Sequence, residues 1–141
     1  MEAIAPSLGV ELTPIDERDP GEIERGLKEF AGTANGGLIV TASVSQGLYR
    51  KLIISLAARH RLPAVHPFRY MVVDGGLISY GTDLVDQYKR AADYVDRILN
   101  GAKPSELPVQ APVKYELVVN LRTARALDLK LPASVLAAPT R

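Results

Sequence analysis

The stretch from residue 62 to residue 107 limits what this chain can fold into more than any other part of the sequence. Its apolar runs predict two short strands, and the second of these ends in Ser79-Tyr80-Gly81. A long helix is predicted next, from the N-cap Asp83 to Asn100-Gly101, because apolar residues recur there at helical spacing. Small polar groups at the carboxyl end of a strand, just before a helix, form the usual ligand-facing edge of an open α/β sheet. The sequence therefore predicts such an edge here.

The same alternation of strand and helix runs along the rest of the chain. Apolar and β-branched runs predict strands at residues 10–15, 38–42, 64–68, 77–80 and 115–119. Helices are predicted after Asp19, after residues 43–46, after Asp83 and after Asn120, each behind a residue type that caps helices well. Strands that alternate with helices predict an α/β fold with a parallel sheet and right-handed crossovers. We expect a single α/β domain over residues 1–141.

Composition and charge exclude several classes of function. The 17 basic and 16 acidic side chains nearly balance, so the chain has no electrostatic footprint for nucleic acid or an anionic membrane. Cysteine is absent from the sequence, which excludes disulfides, thiolate nucleophiles and zinc–thiolate sites. No apolar run reaches the roughly 18–20 residues that cross a bilayer. The N-terminal residues lack the features of a secretory signal, so a chain expressed as given is expected in the cytoplasm.

The sequence contains no recognisable motif for a metal or a cofactor. His60 and His66 have no acidic or cysteine partner at a useful offset, so we interpret both as structural histidines. The glycine pairs at 36–37 and 75–76 match no phosphate-binding fingerprint and are interpreted as turns. We therefore expect neither a metal nor a cofactor.

Two serine residues stand where a predicted strand passes into a helix. Ser43 and Ser45, followed by Gln46, can cap this helix, or can contact a carboxylate or another polar ligand together with the free helix amides. Both alternatives are open. A nucleophilic serine is disfavoured, because the surrounding sequence ASVSQG lacks the G-x-S-x-G elbow and no His or Asp is recognisably placed.

The edge predicted after residues 77–80 carries further candidates. Tyr80 offers a flat apolar face with a polar tip, and Gly81 allows close backbone approach, so ligand contact and packing are both open. Ser79 belongs to the same motif. Phe68 can stack on a ligand or close the core, and the core is favoured. Asp83 is interpreted first as a helix cap, with ligand contact as the alternative.

Three stretches of the chain resemble a known family when their order and spacing are considered together. They are GLIVTASVSQGLYRKLIISLAARHRLPAVHPF, GGLISYGTDLVDQYKRAADYVDRILNGAKPSELPVQAP and YELVVNLRTARALDLKLP. They resemble the C-terminal half of bacterial ABC-transporter substrate-binding proteins of the tryptophan/tyrosine type, which have the type I periplasmic-binding fold. The most specific parts are GGLISYG, the helix after it and the connector NGAKPSELPV.

The resemblance implies two α/β lobes that close like a hinged clamp around a small molecule. It implies that this chain is mainly one lobe, a parallel-sheet sandwich, plus crossover elements of the other lobe. The implied function is non-enzymatic binding of a solute such as an amino acid, in the periplasm and for an ABC permease. Loops at strand carboxyl ends line the cleft in such proteins. The corresponding ligand-binding residues here are Ser43, Ser45, Gln46, Phe68, Ser79, Tyr80, Gly81 and Asp83.

Members of this family are about twice as long as this chain, so we expect a truncated form. In the family the helix from Asp83 to Asn100 packs against the first lobe, and here its apolar stripe lacks those neighbours. A large exposed apolar stripe is unusual in a monomer, so we expect a homodimer or an exchange of elements between copies. The alternative function is a structural or dimerisation module, a lobe remnant without ligand-binding activity.

Overall fold

Four strands form a sheet in sequence order within the part of the chain that the computed structural model describes, residues 3–33 and 35–137. The strands are β1 (Leu38–Ile39), β2 (Ala64–His66), β3 (Ile78–Thr82) and β4 (Tyr115–Val119). Strands β1, β2 and β3 run parallel, and β4 pairs antiparallel with β3. The predicted α/β fold with a mainly parallel sheet is therefore confirmed.

Helices connect and follow these strands. They are α1 (Pro20–Phe30), α2 (Val44–Arg59), α3 (Arg69–Val73), α4 (Leu84–Leu99), α5 (Leu121–Ala126) and α6 (Ala133–Leu136), with 3-10 turns at Ala5–Leu8 and Pro104–Glu106. The caps predicted at Asp19, Asp83 and Asn120 form. The Asp19 carboxylate accepts a hydrogen bond from the Gly21 amide at 2.7 Å, and Asn120 Oδ1 accepts from the amides of Arg122 and Thr123 at 3.1 Å. A cap of this kind contributes about 1 kcal/mol to helix stability.

The structure differs from the sequence prediction in several places, among them β1 and β2, which end at Ile39 and His66 rather than at residues 42 and 68. Residues 10–15 do not form the predicted strand, because they pair with no strand of the described chain and a strand needs a neighbour for its backbone hydrogen bonds. Ile15 instead packs against Gly26 of α1. The sequence does not predict helix α3, because its five residues are too few to show a helical period. The direction of β4 is not encoded in its apolar pattern, which is the same for both directions.

Helices α1, α2 and α3 cover one face of the sheet, which we call the covered face. The crossovers from β1 to β2 and from β2 to β3 move in the same direction, so right-handedness places α2 and α3 on the same side. The buried apolar cluster beneath these helices consists of Ile23, Leu27, Val40, Ile53, Leu56, Leu62 and Met71.

Two polar side chains are also buried on the covered face. His66 of β2 and Ser79 of β3 are register partners, so they project from the same side of the sheet, and each is 1% exposed. Both ring nitrogens of His66 and the hydroxyl of Ser79 lack a hydrogen-bond partner in the described chain. Burial lowers the pKa of His66 from 6.5 to about 4, because loss of water disfavours the charged ring.

The opposite face of the sheet is apolar and partly exposed. Ile39, Val65, Ile78 and Val119 are successive register partners across all four strands. Ile39 is 54% exposed and Val65 is 40% exposed, while Ile78 and Val119 are half-buried. We call the surface made by these four residues the open face. Parallel sheets are usually covered on both faces, so this surface is unusual for the fold.

Helix α4 stands apart from the sheet. The chain leaves β3 at Thr82 and returns to β4 at Tyr115, so α4 and its connector form an excursion between two neighbouring strands. No residue of α4, all of which the structure describes, is buried. We call its exposed apolar side the α4 stripe, which consists of Val85, Tyr88, Val95, Ile98 and Leu99.

The close contact between β2 and β3 predicts opposite effects for two glycine substitutions. A Cβ atom on Gly81 would overlap the backbone oxygen of Pro67, whereas a Cβ atom on Gly47 in α2 would meet nothing within 4 Å. We expect Gly81→Ala to lower the free energy of unfolding by about 3 kcal/mol, because backbone must shift. We expect Gly47→Ala, the matched control, to raise it by up to about 1 kcal/mol. Urea unfolding measures both, and unchanged stability in Gly81→Ala would contradict the contact.

The burial of His66 predicts acid sensitivity. The folded protein resists protonation of His66 until the pH nears 4, whereas the unfolded chain takes up the proton near 6.5. This contribution to stability is complete above pH 6.5 and is lost as the pH falls toward 4, by about 3 kcal/mol over the whole window.

We expect His66→Gln to lose this part of the acid dependence. His60→Gln changes the other of the two histidines and is the matched control, which we expect to behave as the wild type. Urea unfolding at several pH values between 7 and 4.5 measures the difference. The same acid dependence in all three proteins would show that His66 is not its source.

Candidate functional site

The carboxyl ends of the three parallel strands meet at one edge of the sheet, which we call the carboxyl edge. Ser43 follows β1, Phe68 follows β2, and Tyr80 lies near the end of β3. Strand β4 begins at this edge because it runs antiparallel, and it adds Tyr115. Neighbouring strands lie about 5 Å apart, so the ends of β1 and β3 are separated by roughly 10 Å. That distance is the scale of a small molecule.

The candidates after β1 and β2 lie at this edge. Ser43 is exposed immediately before α2, and Ser45 is half-buried in the first turn of that helix. The side chain of Gln46 lies outside the described part of the structure. Phe68 is half-buried at the position that caps α3. Their contact with a ligand stays a prediction.

The three residues of the Ser79-Tyr80-Gly81 motif have different surroundings. Ser79 is enclosed on the covered face, whereas Tyr80 is 61% exposed. Gly81 lies against the backbone of Pro67, so its lack of a side chain is required by the contact between β2 and β3. Tyr80 is therefore the residue of this motif whose side chain a solute can reach most easily.

Aromatic rings form two stacked pairs at the carboxyl edge. The rings of Tyr80 and Tyr115 have centroids 5.9 Å apart and planes inclined by 18°. Those of Phe68 and Tyr70 are 5.5 Å apart and inclined by 15°. The sequence prediction did not include Tyr70 or Tyr115, because finding them requires knowledge of α3 and of the direction of β4. The pairs give the edge flat apolar surfaces with hydroxyl groups.

Two ion pairs lie beside the Phe68–Tyr70 pair. Arg69 Nη1 of α3 is 3.1 Å from Glu116 Oε2 of β4, and Arg50 Nε of α2 is 2.7 Å from Asp74 Oδ2. The Arg50 guanidinium also lies 5.8 Å from the centroid of the Tyr70 ring. An open cavity of about 520 Å³ is lined by Arg50, Arg69, Tyr70, Val73 and Asp74. The edge thus combines rings with paired charges.

Asp83 lies where the chain leaves the sheet. Its Oδ1 accepts a hydrogen bond from the Asp86 amide at 3.1 Å, so the predicted helix cap forms. Its Oδ2 is 2.7 Å from Nζ of Lys114, and its amide donates to the Lys114 carbonyl at 3.0 Å. The Lys114 ammonium holds the pKa of the Asp83 carboxyl below its usual range. These bonds join the departing and returning segments, and a ligand contact by Asp83 stays a prediction.

Neither a metal-binding group of side chains nor a histidine beside Ser43 is found at the described carboxyl edge. No group of three or more side chains suited to a metal ion is found in residues 3–33 and 35–137. His60 lies beyond the far end of α2 from Ser43, roughly 25 Å along the helix axis. The nitrogens of His66 are enclosed on the covered face. Neither histidine can therefore take a proton from Ser43.

No helix in residues 3–33 and 35–137 is both long enough and apolar enough to cross a bilayer.

The family model described as ABC transporter substrate binding protein matches residues 1–141. Comparison with curated protein sequences gives no match. Solved structures with the same fold include a conserved domain protein from Vibrio cholerae O1 biovar El Tor, with 23% sequence identity and a TM-score of 0.84.

Two further solved structures also share the fold. An ABC domain from Streptococcus pneumoniae in complex with L-Trp has 23% identity and a TM-score of 0.77. A substrate-binding protein with adhesive properties from Clostridium difficile, in its ligand-free open form, has 19% identity and a TM-score of 0.68.

These matches cover nearly all of this chain but less than half of each matched chain. They cover 96%, 95% and 94% of this chain but only 46%, 46% and 44% of the Vibrio, Streptococcus and Clostridium chains. The chain thus spans about half the length of the proteins whose fold it shares. Since the family model matches the whole sequence and these structures share its fold, the chain belongs to the family of ABC transporter substrate-binding proteins.

Proposed function

We propose that this chain is the C-terminal half of the solute-binding component of an ABC transporter, and that its carboxyl edge recognises a small molecule without altering it. The observation that supports the proposal is the stacked pair of Tyr80 and Tyr115 at the carboxyl edge, where Ser43 also follows the end of β1. Proteins of this family are periplasmic or otherwise extracytoplasmic. We place this chain there as well, with an ABC permease as its partner.

A compact amino acid with a planar side chain fits the carboxyl edge best. The stacked rings of Tyr80 and Tyr115 offer a flat apolar face. Glu116 projects from the covered face, as Ser79 does, whereas Tyr80 and Tyr115 project from the opposite face, so the rings rather than the Arg69–Glu116 ion pair favour a planar ligand. The Streptococcus pneumoniae neighbour is in complex with L-Trp, which supports L-tryptophan as the first ligand to test.

The expected affinity is modest. Ordinary ligand pockets bury most of the ligand surface, whereas one edge of one lobe contacts a ligand from a single side. The chain corresponds to less than half of the neighbouring proteins, so we propose that it supplies one side of their cleft. A dissociation constant of about 1 mM is a reasonable expectation for such partial contact.

A thermal-shift experiment with L-tryptophan tests this proposal. Ligand at ten times its dissociation constant stabilises the folded state by about 1.4 kcal/mol, which raises the melting temperature by about 3–5 °C for a chain of this size. Tyr80→Ala removes the exposed ring of the stacked pair, so we expect roughly tenfold weaker binding and a shift reduced by about two-thirds. Tyr88→Ala, on α4, is the matched control and should leave the shift unchanged.

Two results would count against binding at the carboxyl edge. One is an equal shift in Tyr80→Ala and the wild type, which would place the ligand elsewhere. The other is the absence of any shift across the standard amino acids at concentrations up to the solubility limit.

We also propose that the chain associates with a second copy through α4, which is the activity of the alternative dimerisation module. The α4 stripe and the open face are both apolar and partly exposed, and a helix packed on a sheet face is the usual two-layer arrangement. If α4 of each copy covers the open face of the other, the two contacts are equivalent and close into a two-fold dimer.

Sedimentation velocity measures this association. Val95→Glu places a charge in the α4 stripe, and we expect it to raise the dimer dissociation constant at least tenfold, about 1.4 kcal/mol. Arg97→Glu places the same group on the polar side of α4 and is the matched control, which should leave dimerisation nearly unchanged. A wild-type protein that sediments as a monomer at about 100 µM, well above the usual range for stable dimers, would contradict the proposal.

A further inference from the structure

His66 and Ser79 lie directly behind the carboxyl edge. His66 is followed by Pro67-Phe68, and Ser79 is followed by Tyr80-Gly81, so each polar residue precedes a segment of the candidate site. The two are register partners, and the Pro67 backbone also touches Gly81. Any rearrangement of the His66–Ser79 pair therefore displaces the ends of β2 and β3 together.

The ring of His66 is enclosed on all sides that the structure describes. A Cβ atom on Gly76 would lie 2.7 Å from both Cδ2 and Nε2 of His66 and 2.9 Å from the Met71 oxygen, so there is no spare room beside the ring. A charged imidazolium needs water or a counter-ion, and this packing supplies neither. Protonation of His66 well above pH 4 thus requires the ring to leave its position.

Charged groups on the surrounding elements do not relieve this requirement. Arg50 is paired with Asp74, and Arg69 of α3 is paired with Glu116 of β4. Burial is the one cause of the lowered pKa of His66, with no contribution from a neighbouring charge. The other charged side chains of α2 and α5 are exposed, namely Lys51, Arg59, Arg122 and Arg125.

We propose that buried His66 acts as an acid-sensitive latch that holds the ends of β2 and β3 in the arrangement that binds solute. While His66 is neutral, its ring stays buried on the covered face and the edge is closed. When His66 is protonated, the ring moves to water and the segments that carry Phe68 and Tyr80 open. The link to solute rests on the proposed function, whereas the opening of the edge does not.

The size of the effect follows from proton linkage. When the edge is open, His66 is exposed to water and has its ordinary pKa of 6.5. When the edge is closed, the pKa of His66 is about 4. Between pH 7.5 and pH 5 the population of the open edge therefore increases about 25-fold relative to the closed edge. A solute that binds only the closed edge, present at ten times its dissociation constant, lowers the open population about tenfold.

Hydrogen–deuterium exchange of the whole chain tests the latch. Rates are compared at pH 7.5 and pH 5 after division by the exchange rates of unprotected amides, for residues 64–68 and 78–82 and for residues 53–57 in α2 as reference. In the wild type we expect about 25-fold faster relative exchange in the first two segments and little change in the third. His60→Gln should match the wild type, and His66→Gln should show no acid increase.

His66→Leu covers the case in which His66→Gln does not fold, because it places an apolar side chain of similar volume there that cannot be protonated, and we expect it to show no acid increase. Ser79→Ala removes a hydroxyl that makes no hydrogen bond in the described chain, so we expect it to exchange as the wild type does at both pH values. An acid increase that persists in His66→Gln would overturn the latch. An increase of the same size in residues 53–57 would also overturn it, because His66 would then titrate only when the whole fold opens.

The solute arm repeats the exchange at pH 5 with L-tryptophan at ten times its measured dissociation constant. About tenfold protection of residues 64–68 and 78–82 supports the link between the latch and solute binding, and binding without such protection overturns it. If L-tryptophan binds at neither pH, the proposed function fails, and the exchange rates of the histidine variants still decide whether the latch exists.

Discussion

The parallel pairing of β2 with β3 is the constraint on which the rest of the structure depends. Its register places His66 beside Ser79 on the covered face and leaves Tyr80 exposed. A slip of one residue would reverse these faces, exposing His66 and burying Tyr80, so the register is tied to the hydrophobic core. The contact of the Pro67 backbone with Gly81 adds a steric restraint at the same place. Candidate site and core are thus set by one pairing.

The two faces of the sheet are packed unequally. Helices α1 to α3 bury the covered face, while the open face and the α4 stripe stay partly exposed. The bonds between Asp83 and Lys114 hold the departing and returning segments together, so α4 is anchored at its base while its apolar side is largely exposed. The carboxyl edge and α4 are consequently separate surfaces, one suited to a solute and one to a second copy.

The sequence predicts most strongly where local chemistry decides the outcome. Asp19, Asp83 and Asn120 cap helices as expected, and β4 has the predicted bounds, because caps and apolar runs act over a few residues. Residues 10–15 have strand composition but no strand partner, and partners are a property of the whole fold. For the same reason the sequence did not reveal Tyr115 and Glu116, which reach the edge only because β4 runs antiparallel. The His66–Ser79 pair likewise appears only with the register.

The central claim is that the carboxyl edge is the solute-binding surface of this chain. Amide chemical-shift mapping during titration with L-tryptophan tests it most directly, because it locates a weak ligand residue by residue. The account predicts that the largest shifts cluster at Ser43, Phe68, Tyr80 and Tyr115, with little change along α4. Shifts centred on α4, or a spectrum unchanged at ligand saturation, would contradict it.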